Sequence, residues 1–195
     1  MQPYEIIASP LTIYVGPVAT AFPDIDAVPG VGWFKLGTSG DKSYEDEGVT
    51  VNHTQTFGTF RGAGATKKRK AWRQEEDLSF GFTLVDLSAS QYAKVLNDAA
   101  LTTVVADVGT PGTISFELDQ GIEVVEFALL ARGLSTVDED LAAQYQVPRC
   151  YQAGSPAPVW GKGGAAGLAC LFEALEGATA NKLVIQTAAE EEASA

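Results

Sequence analysis

The chain is short of the residue types on which most metal sites and many enzymes depend. It has one histidine, His53, and two cysteines, Cys150 and Cys170, with no Cys-x-x-Cys pair. A structural zinc site needs about four closely spaced Cys or His ligands, so we expect no metal site and no cofactor. The cysteines lie in separate apolar segments, which predicts buried free thiols. A disulfide between them is geometrically possible but has no support in the sequence.

Catalytic motifs are also missing, because the chain contains no Gly-x-Ser-x-Gly, no P-loop, no His-Glu-x-x-His and no Gly-x-Gly-x-x-Gly after a strand. His53 lies in an alternating strand and is interpreted as a partly exposed strand residue. Glu75 and Glu76 project to opposite faces of a strand and cannot jointly flank a glycosidic bond. The segment 161–164 resembles a phosphate loop, but without a strand–loop–helix frame a flexible loop is favoured. We therefore expect no enzyme activity.

Positive charge is scarce, with 13 Lys and Arg against 25 Asp and Glu and a net charge of −12. General nucleic-acid binding requires a basic surface that displaces counterions from phosphate, so this balance argues against it. No apolar run is long enough to span a bilayer, and the N-terminus lacks a basic leader before an apolar run. We expect neither a membrane partner nor a secretion signal.

Hydrophobic residues and glycine are abundant, at 46% of the chain and 20 residues respectively. This composition predicts one β-rich domain over residues 1–189, followed by a short acidic tail at 190–195. Eight to ten predicted strands favour a mainly β fold, which is either a β-sandwich or a partly open barrel. Outside the long hairpin, the predicted strands are 5–15, 33–36, 102–106, 113–118, 123–132, 144–151, 168–175 and 183–187. The turn Asp119-Gln120-Gly121 predicts that 113–118 and 123–132 form a hairpin.

One short helix is predicted at residues 89–97. Ser88 followed three residues later by Gln91 matches a capping box, in which each side chain bonds the other residue's backbone N–H. Tyr92 and Leu96 belong to an apolar stripe at helical spacing. The helix is therefore expected to flank the sheet, with this stripe against the core.

A long β-hairpin is the most informative feature of the chain. The strand that begins near Val49 has a polar face carrying Thr50, Asn52 and Thr54, whereas the return strand has a continuous apolar face. The part of the hairpin at residues 40–77, which we call the arm, extends beyond its own core. The residues predicted to face the core, on the hairpin and the helix, are Val49, Val51, Leu78, Phe80, Phe82, Leu84, Tyr92 and Leu96.

The arm carries a concentration of charge. The basic residues are Arg61, Lys67, Lys68, Arg69, Lys70 and Arg73, and the acidic residues near the arm's base are Asp41, Glu45, Asp46 and Glu47. A nucleic-acid contact beside Trp72 and a merely solvated loop are both open interpretations. We favour self-assembly, because a basic tip and an acidic base on one molecule form a head-to-tail contact that propagates if its rotation does not close.

A series of short segments along the chain carries a family resemblance. The segments are Trp33-x-x-Leu36-Gly37, Gly40-Asp41-Lys42, Gly48-Val49-Thr50-Val51 with Gln55, Arg61-Gly62, Glu75-Glu76-Asp77-Leu78, Phe82-Thr83-Leu84-x-Asp86-Leu87, Gln91-Tyr92, Val147-Pro148-Arg149 and Phe172-Glu173-Ala174-Leu175. In this order and spacing they resemble the tail tube proteins of long, flexible-tailed bacteriophages. The likeness spans nearly the whole chain, and no single motif in it is diagnostic.

The resemblance implies a structural role. Subunits of that family form hexameric rings that stack into a hollow tail, and each contributes strands to one β-barrel around an acidic bore through which double-stranded DNA passes without specific binding. Thr50, Asn52 and Thr54 are then candidates for the bore, and the arm for the contact between rings. The implied location is the virion tail, assembled in the host cytoplasm, and the implied partners are further copies, the tape measure, terminator and distal tail proteins.

Two alternatives remain open at the level of sequence. The first is another ring-forming component of a virion or injection machine, such as a tail terminator or a secreted tube protein. The second is a ligand-binding β-sandwich or an enzyme, which would require a ligand site. Rings that never stack would favour the first alternative, and a monomer with a specific small ligand would favour the second.

Overall fold

A computed structural model describes residues 11–37, 44–45, 47–85, 87–134, 141–158, 162 and 166–186. The regular elements in these ranges are β1 (Thr12–Pro17), β2 (Phe34–Lys35), β3 (Thr50–Phe60), β4 (Lys70–Leu84), α1 (Ala89–Val95), β5 (Thr102–Val104), β6 (Thr113–Ser115), β7 (Glu126–Leu134), β8 (Ala142–Gln152), β9 (Leu168–Ala174) and β10 (Lys182–Ile185). The mainly β prediction is confirmed. The predicted opening strand at 5–15 lies partly outside the described residues, and the acidic tail at 190–195 lies wholly outside them.

The strands form one large and one small antiparallel sheet. The large sheet has the order β2-β1-β7-β8-β9-β4-β3, and β10 pairs with β8 beside β9. The small sheet contains β5 and β6 alone. The predicted long hairpin is confirmed, because β3 and β4 pair along their whole length from Thr50–Gly81 to Phe60–Lys70.

The hairpin predicted between 113–118 and 123–132 is wrong. Thr113–Ser115 pairs with Thr102–Val104 instead, and β7 begins at Glu126 between β1 and β8. The reason is burial, because β7 pairs with β1 and β8 on its two edges and buries its own side chains from Phe127 to Ala131. A turn signal at Asp119-Gln120-Gly121 cannot compete with that gain.

The predicted helix is confirmed as α1, and its cap combines a correct expectation with a wrong one. Ser88 Oγ accepts a hydrogen bond from the Gln91 backbone N–H at 3.3 Å, as expected of an N-cap. The Gln91 side chain does not return to Ser88. It is buried and bridges α1 to the β2 region, accepting from Gly37 N–H at 3.1 Å and donating to the Lys35 carbonyl at 3.1 Å. No helix in the described ranges is long and apolar enough to cross a membrane.

The core lies between the inner faces of β1, β7, β8, β9 and β4. Phe82 stacks on Phe172 with ring centroids 6.0 Å apart and meets Tyr44 edge-on at 5.4 Å. Of the residues predicted to face the core, four are buried and four are partly buried. The buried ones are Phe80, Phe82, Leu84 and Leu96, and the partly buried ones, which pack against the core cluster, are Val49, Val51, Leu78 and Tyr92.

Tyr44 joins the two strands at one end of the large sheet. Its buried hydroxyl donates to the Leu36 carbonyl at 2.8 Å and accepts from the Ile13 backbone N–H at 2.9 Å. Burial raises the pKa of Tyr44 from 10.0 to about 12. The hydroxyl thus satisfies two buried backbone groups that β1 and β2 leave unpaired.

We expect Tyr44→Phe to lower the free energy of unfolding by about 1–3 kcal/mol, because the Ile13 N–H is left buried without an acceptor. Urea unfolding followed by circular dichroism measures this loss. Tyr14→Phe is the matched control, since Tyr14 has no such hydrogen bonds among the described residues. Equal stability of the two variants would contradict the role given to the Tyr44 hydroxyl.

Both cysteines are free and buried, as predicted. Burial raises the pKa of Cys150 and of Cys170 from 9.0 to about 12. At neutral pH both side chains are therefore protonated thiols shielded from solvent, and unreactive.

Raising the pH from about 9 to about 12 is expected to lower the free energy of unfolding. The unfolded chain loses protons at pKa values of 9.0 for the thiols and 10.0 for Tyr44, whereas the folded chain holds them to about 12. These three groups contribute fully to stability below pH 9 and lose that contribution as the pH rises through the window. Urea unfolding across the series measures the trend, and constant stability from pH 8 to 12 would contradict it.

Candidate functional site

The β3–β4 hairpin changes character along its length. Close to the core, β4 lies between β3 and β9, which pairs with it over Ser79–Leu84. Beyond Ser79, β4 pairs only with β3 among the described residues, and its side chains from Lys70 to Asp77 are all exposed. An isolated two-stranded ribbon is marginally stable in water, so this part of the arm gains from any further surface that covers it.

A β-bulge at Gln74 sets the direction of the arm's side chains. Thr56 lies opposite Glu75 and Phe57 lies opposite Arg73, so Gln74 has no partner on β3. The bulge brings Arg73 to the same face as Gln55 and Glu76. Its Nε donates to Gln55 Oε1 at 3.2 Å, and its Nη1 donates to Glu76 Oε2 at 2.7 Å. Of the predicted basic contacts, Arg73 is therefore engaged within the arm itself.

Three large aromatic side chains are exposed on the arm, a group that the sequence did not predict. Phe57, Phe60 and Trp72 expose 55%, 56% and 45% of their surface. Trp72 lies across Gly58 on the paired strand, where a Cβ atom would overlap the indole ring. The signal in the sequence was Gly58 itself, because a glycine inside a strand often marks a place where another group approaches the backbone closely. The arm therefore offers apolar surface as well as charge.

The basic turn lies at the far end of the arm, and we call 61–70 the arm tip. Arg61, Lys67, Lys68, Arg69 and Lys70 are all exposed and make no ion pair with a described residue. Of the acidic residues predicted to complement them, Glu45 and Glu47 are exposed near the other end of β4, where Glu45 N–H donates to the Thr83 carbonyl at 3.0 Å. Asp41 and Asp46 lie outside the described residues. Tip and base are thus far apart on one molecule.

Thr50, Asn52 and Thr54 share one exposed face of the sheet. On β4 they lie opposite Gly81, Ser79 and Asp77. From Ser79 the same face continues across β9, β8 and β7 through the paired residues Glu173, Tyr151 and Glu126. We call this surface the polar face. Beyond the predicted residues, it carries Glu75 and Asp77 on β4, Glu173 on β9, Tyr151 and Arg149 on β8, and Glu126 on β7.

Carboxylates outnumber cations on the polar face. Arg149 binds Glu126 through two hydrogen bonds of 2.6 and 2.7 Å, and this contact lowers the pKa of Glu126. Tyr151 donates its hydroxyl to Glu173 Oε2 at 2.7 Å, which raises the pKa of Tyr151. Glu75, Asp77 and Glu173 make no ion pair with another described residue. The face is therefore negatively charged at neutral pH.

β3 forms one end of the large sheet. Over its 11 residues it pairs with β4 alone among the described residues, so its outer edge presents unpaired backbone N–H and C=O groups. Proteins rarely leave so long an edge strand uncovered, because it is a template for pairing with another chain. The edge is a candidate surface for strand pairing between copies.

An open groove of about 730 Å³ lies where the arm leaves the rest of the domain. The arm contributes 53–55 and 76–78, and the opposite wall is the segment 174–181. His53, the single histidine, lies here with Glu76 and Asp77. Within the described ranges, no three His, Cys, Asp or Glu side chains are grouped as a metal site would require. The groove is open to solvent and is lined by both polar and apolar residues.

Comparison with known proteins adds no assignment: no family model matches this chain, and no curated protein is significantly similar to it.

Proposed function

We propose that this protein is the structural subunit of a tail tube of a long-tailed bacteriophage. The observation that carries the proposal is the arm, which projects from the domain with an open 11-residue strand edge and three exposed aromatic side chains. An arm of this kind has no role in a lone monomer. Its features suit a subunit that is completed by copies of itself.

Strand pairing between neighbours is the proposed basis of a ring. In this account the sheet of each subunit is a half-barrel or sandwich sheet, and the edge of β3 pairs with a neighbouring copy to close a continuous β-barrel. Each backbone hydrogen bond adds only about 1 kcal/mol net, so cohesion comes from the many bonds formed around the closed ring. The proposed ring is a hexamer, a number that rests on the family resemblance alone.

The polar face is the proposed lining of the bore. Asn52, Asp77 and Glu173 belong to one surface that is continuous over five strands, and its unpaired carboxylates repel phosphate. A lining of this charge lets double-stranded DNA slide through without adhering. The net charge of −12 is consistent with this role.

Partners and location follow as parts of the same proposal. The principal partner is the protein itself, as rings stacked head to tail in a virion tail that is assembled in the host cytoplasm. The tape measure, terminator and distal tail proteins are the further proposed partners. No enzymatic step and no cofactor belong to this function.

Negative-stain electron microscopy of the purified protein tests the proposal. We expect hollow tubes of uniform diameter, whose length increases with protein concentration. Light scattering that finds monomers alone at high concentration and at every salt concentration would overturn it.

A ring that does not stack is the second candidate, as in a tail terminator or a secreted tube protein. It is favoured by the same open edge of β3, which closes a ring without requiring contact between rings. The basic arm tip separates the two candidates, because it is superfluous in an isolated ring. Single rings that never lengthen, at any protein concentration, would select this alternative.

A further inference from the structure

The segment Leu101–Val124, which we call the apolar flap, exposes a large amount of aliphatic surface. Val105, Val108 and Ile122 are 81%, 99% and 99% exposed, and the flap's other aliphatic side chains are exposed as well. Isolated soluble proteins rarely expose so many large aliphatic side chains in one short segment unless the segment binds something. The tail-tube proposal and the family resemblance assign this segment no role.

The C-terminal half of the apolar flap is fixed to the domain. Asn97, in the left-handed conformation with φ of 56°, donates to the Gln120 and Glu123 carbonyls at 3.2 and 2.8 Å and accepts from Val125 N–H at 2.6 Å. Phe116 packs edge-on against Tyr92 of α1, with ring centroids 5.5 Å apart. Phe116 thus packs against the domain, whereas the aliphatic side chains of the flap remain exposed.

The charges of the flap complement those of the arm tip. Residues 101–124 include Asp107, Glu117, Asp119 and Glu123 but no lysine or arginine. The arm tip carries five basic residues and no acidic one, and Phe60 and Trp72 are exposed next to it. One surface is acidic and aliphatic, and the other is basic and aromatic. A contact between them covers apolar area on both sides and pairs opposite charges.

The arm tip precedes β4 in the chain, and the flap follows the other end of β4 through α1, which it contacts. This strand runs from Lys70 at the arm tip to Leu84, and the chain then enters α1 and the flap. Fifteen strand residues span roughly 45–50 Å. A tip and a flap separated in this way meet when a second copy is placed end to end with the first, which is the arrangement of stacked rings.

We propose that the apolar flap is the surface on which the arm tip of a second copy of this chain docks. The inference rests on the tail-tube proposal and adds the receiving surface for the arm. We propose it in place of the acidic complement expected at the base of the arm, because within the described ranges Glu45 and Glu47 have no comparable aliphatic surface beside them to cover the exposed aromatic rings.

Disulfide trapping between two copies tests the contact. Cys150 and Cys170 are buried, so an introduced surface thiol reacts first. Purified Lys68→Cys protein carrying an affinity tag is mixed with untagged Glu117→Cys protein under tube-forming conditions and oxidised. Lys68→Cys mixed with Glu47→Cys is the matched control, because it probes the competing acidic position.

We expect tagged–untagged dimers between positions 68 and 117 to exceed those between 68 and 47 by about tenfold. Equal yields in the two mixtures, or dimers at position 47 alone, would overturn the inference.

Charge exchange gives a second, independent readout. The flap variant E117K/D119K/E123K and the tip variant K67E/K68E/R69E/K70E are each expected to reduce tube mass at least about tenfold, since each contact contains several ion pairs. Mixing the two variants is expected to restore mixed assemblies, because each tip then meets an oppositely charged flap.

The outcomes separate this inference from the function on which it rests. Tubes of normal length from the flap variant would overturn the docking surface and leave the tail-tube proposal standing. Wild-type protein that never assembles would overturn both. Circular dichroism of each variant before assembly verifies that the loss of tubes is not a loss of folding.

Discussion

Replacing Phe82 with aspartate is expected to leave no folded protein. The side chain is 6% exposed, stacks on Phe172 and lies against Tyr44. Removing a buried phenylalanine costs about 3–5 kcal/mol, and a buried unpaired carboxylate costs several kcal/mol more. The total stability of a domain is typically about 5–15 kcal/mol, so the two losses together consume most or all of it.

The matched control for this substitution is Phe57→Asp on the same hairpin. Phe57 is 55% exposed, so an aspartate there remains hydrated and the domain is expected to fold. Far-UV circular dichroism and gel filtration distinguish the two variants. A Phe82→Asp protein that unfolds in urea with the wild-type midpoint would contradict the position given to β4 in the core.

Reversing the charge of the arm tip is expected to abolish tubes without unfolding the subunit. Lys67, Lys68, Arg69 and Lys70 are exposed and make no ion pair within the described part of the chain. Changing all four to glutamate therefore costs little stability. It places like charges against the acidic surface of the next copy, which opposes stacking. Electron microscopy gives the tube length, and thermal unfolding verifies the fold.

A smaller pair of variants separates position from net charge. K67E/K68E and K162E/K182E change the net charge by the same amount, but Lys162 and Lys182 are exposed at positions outside the arm. Only the first variant is expected to shorten the tubes. Equal shortening by both would show that overall repulsion, and not the arm tip, controls stacking, and long tubes from the fourfold variant would exclude the arm from the contact.

The alternation of side chains made the hairpin predictable from the sequence. Thr50 and Asn52 alternate with Val49 and Val51, and Phe80 and Phe82 alternate with small residues, so the two faces of the ribbon follow from the sequence. Local periodicity decides which residues share a face. It is also the reason that the helix at Ala89–Val95 could be placed.

Long-range pairing accounts for what the sequence could not predict. Glu126 and Glu173 join the polar face only because β7, β8 and β9 lie side by side, and no local pattern contains that order. The bulge at Gln74 likewise places Arg73 on the same face as Glu76, which strict alternation along β4 would not do. The hairpin predicted around Gly121 failed for the same reason, since β7 is stabilised by distant strands rather than by its neighbour in sequence.

A cryo-electron microscopy reconstruction of the assembled protein tests the central claim most directly. We predict a hollow tube in which Asn52, Asp77 and Glu173 face the bore and β3 pairs with a strand of the adjacent subunit. A tube with the polar face on its outer surface, or a preparation that contains only separate monomers, would contradict the account.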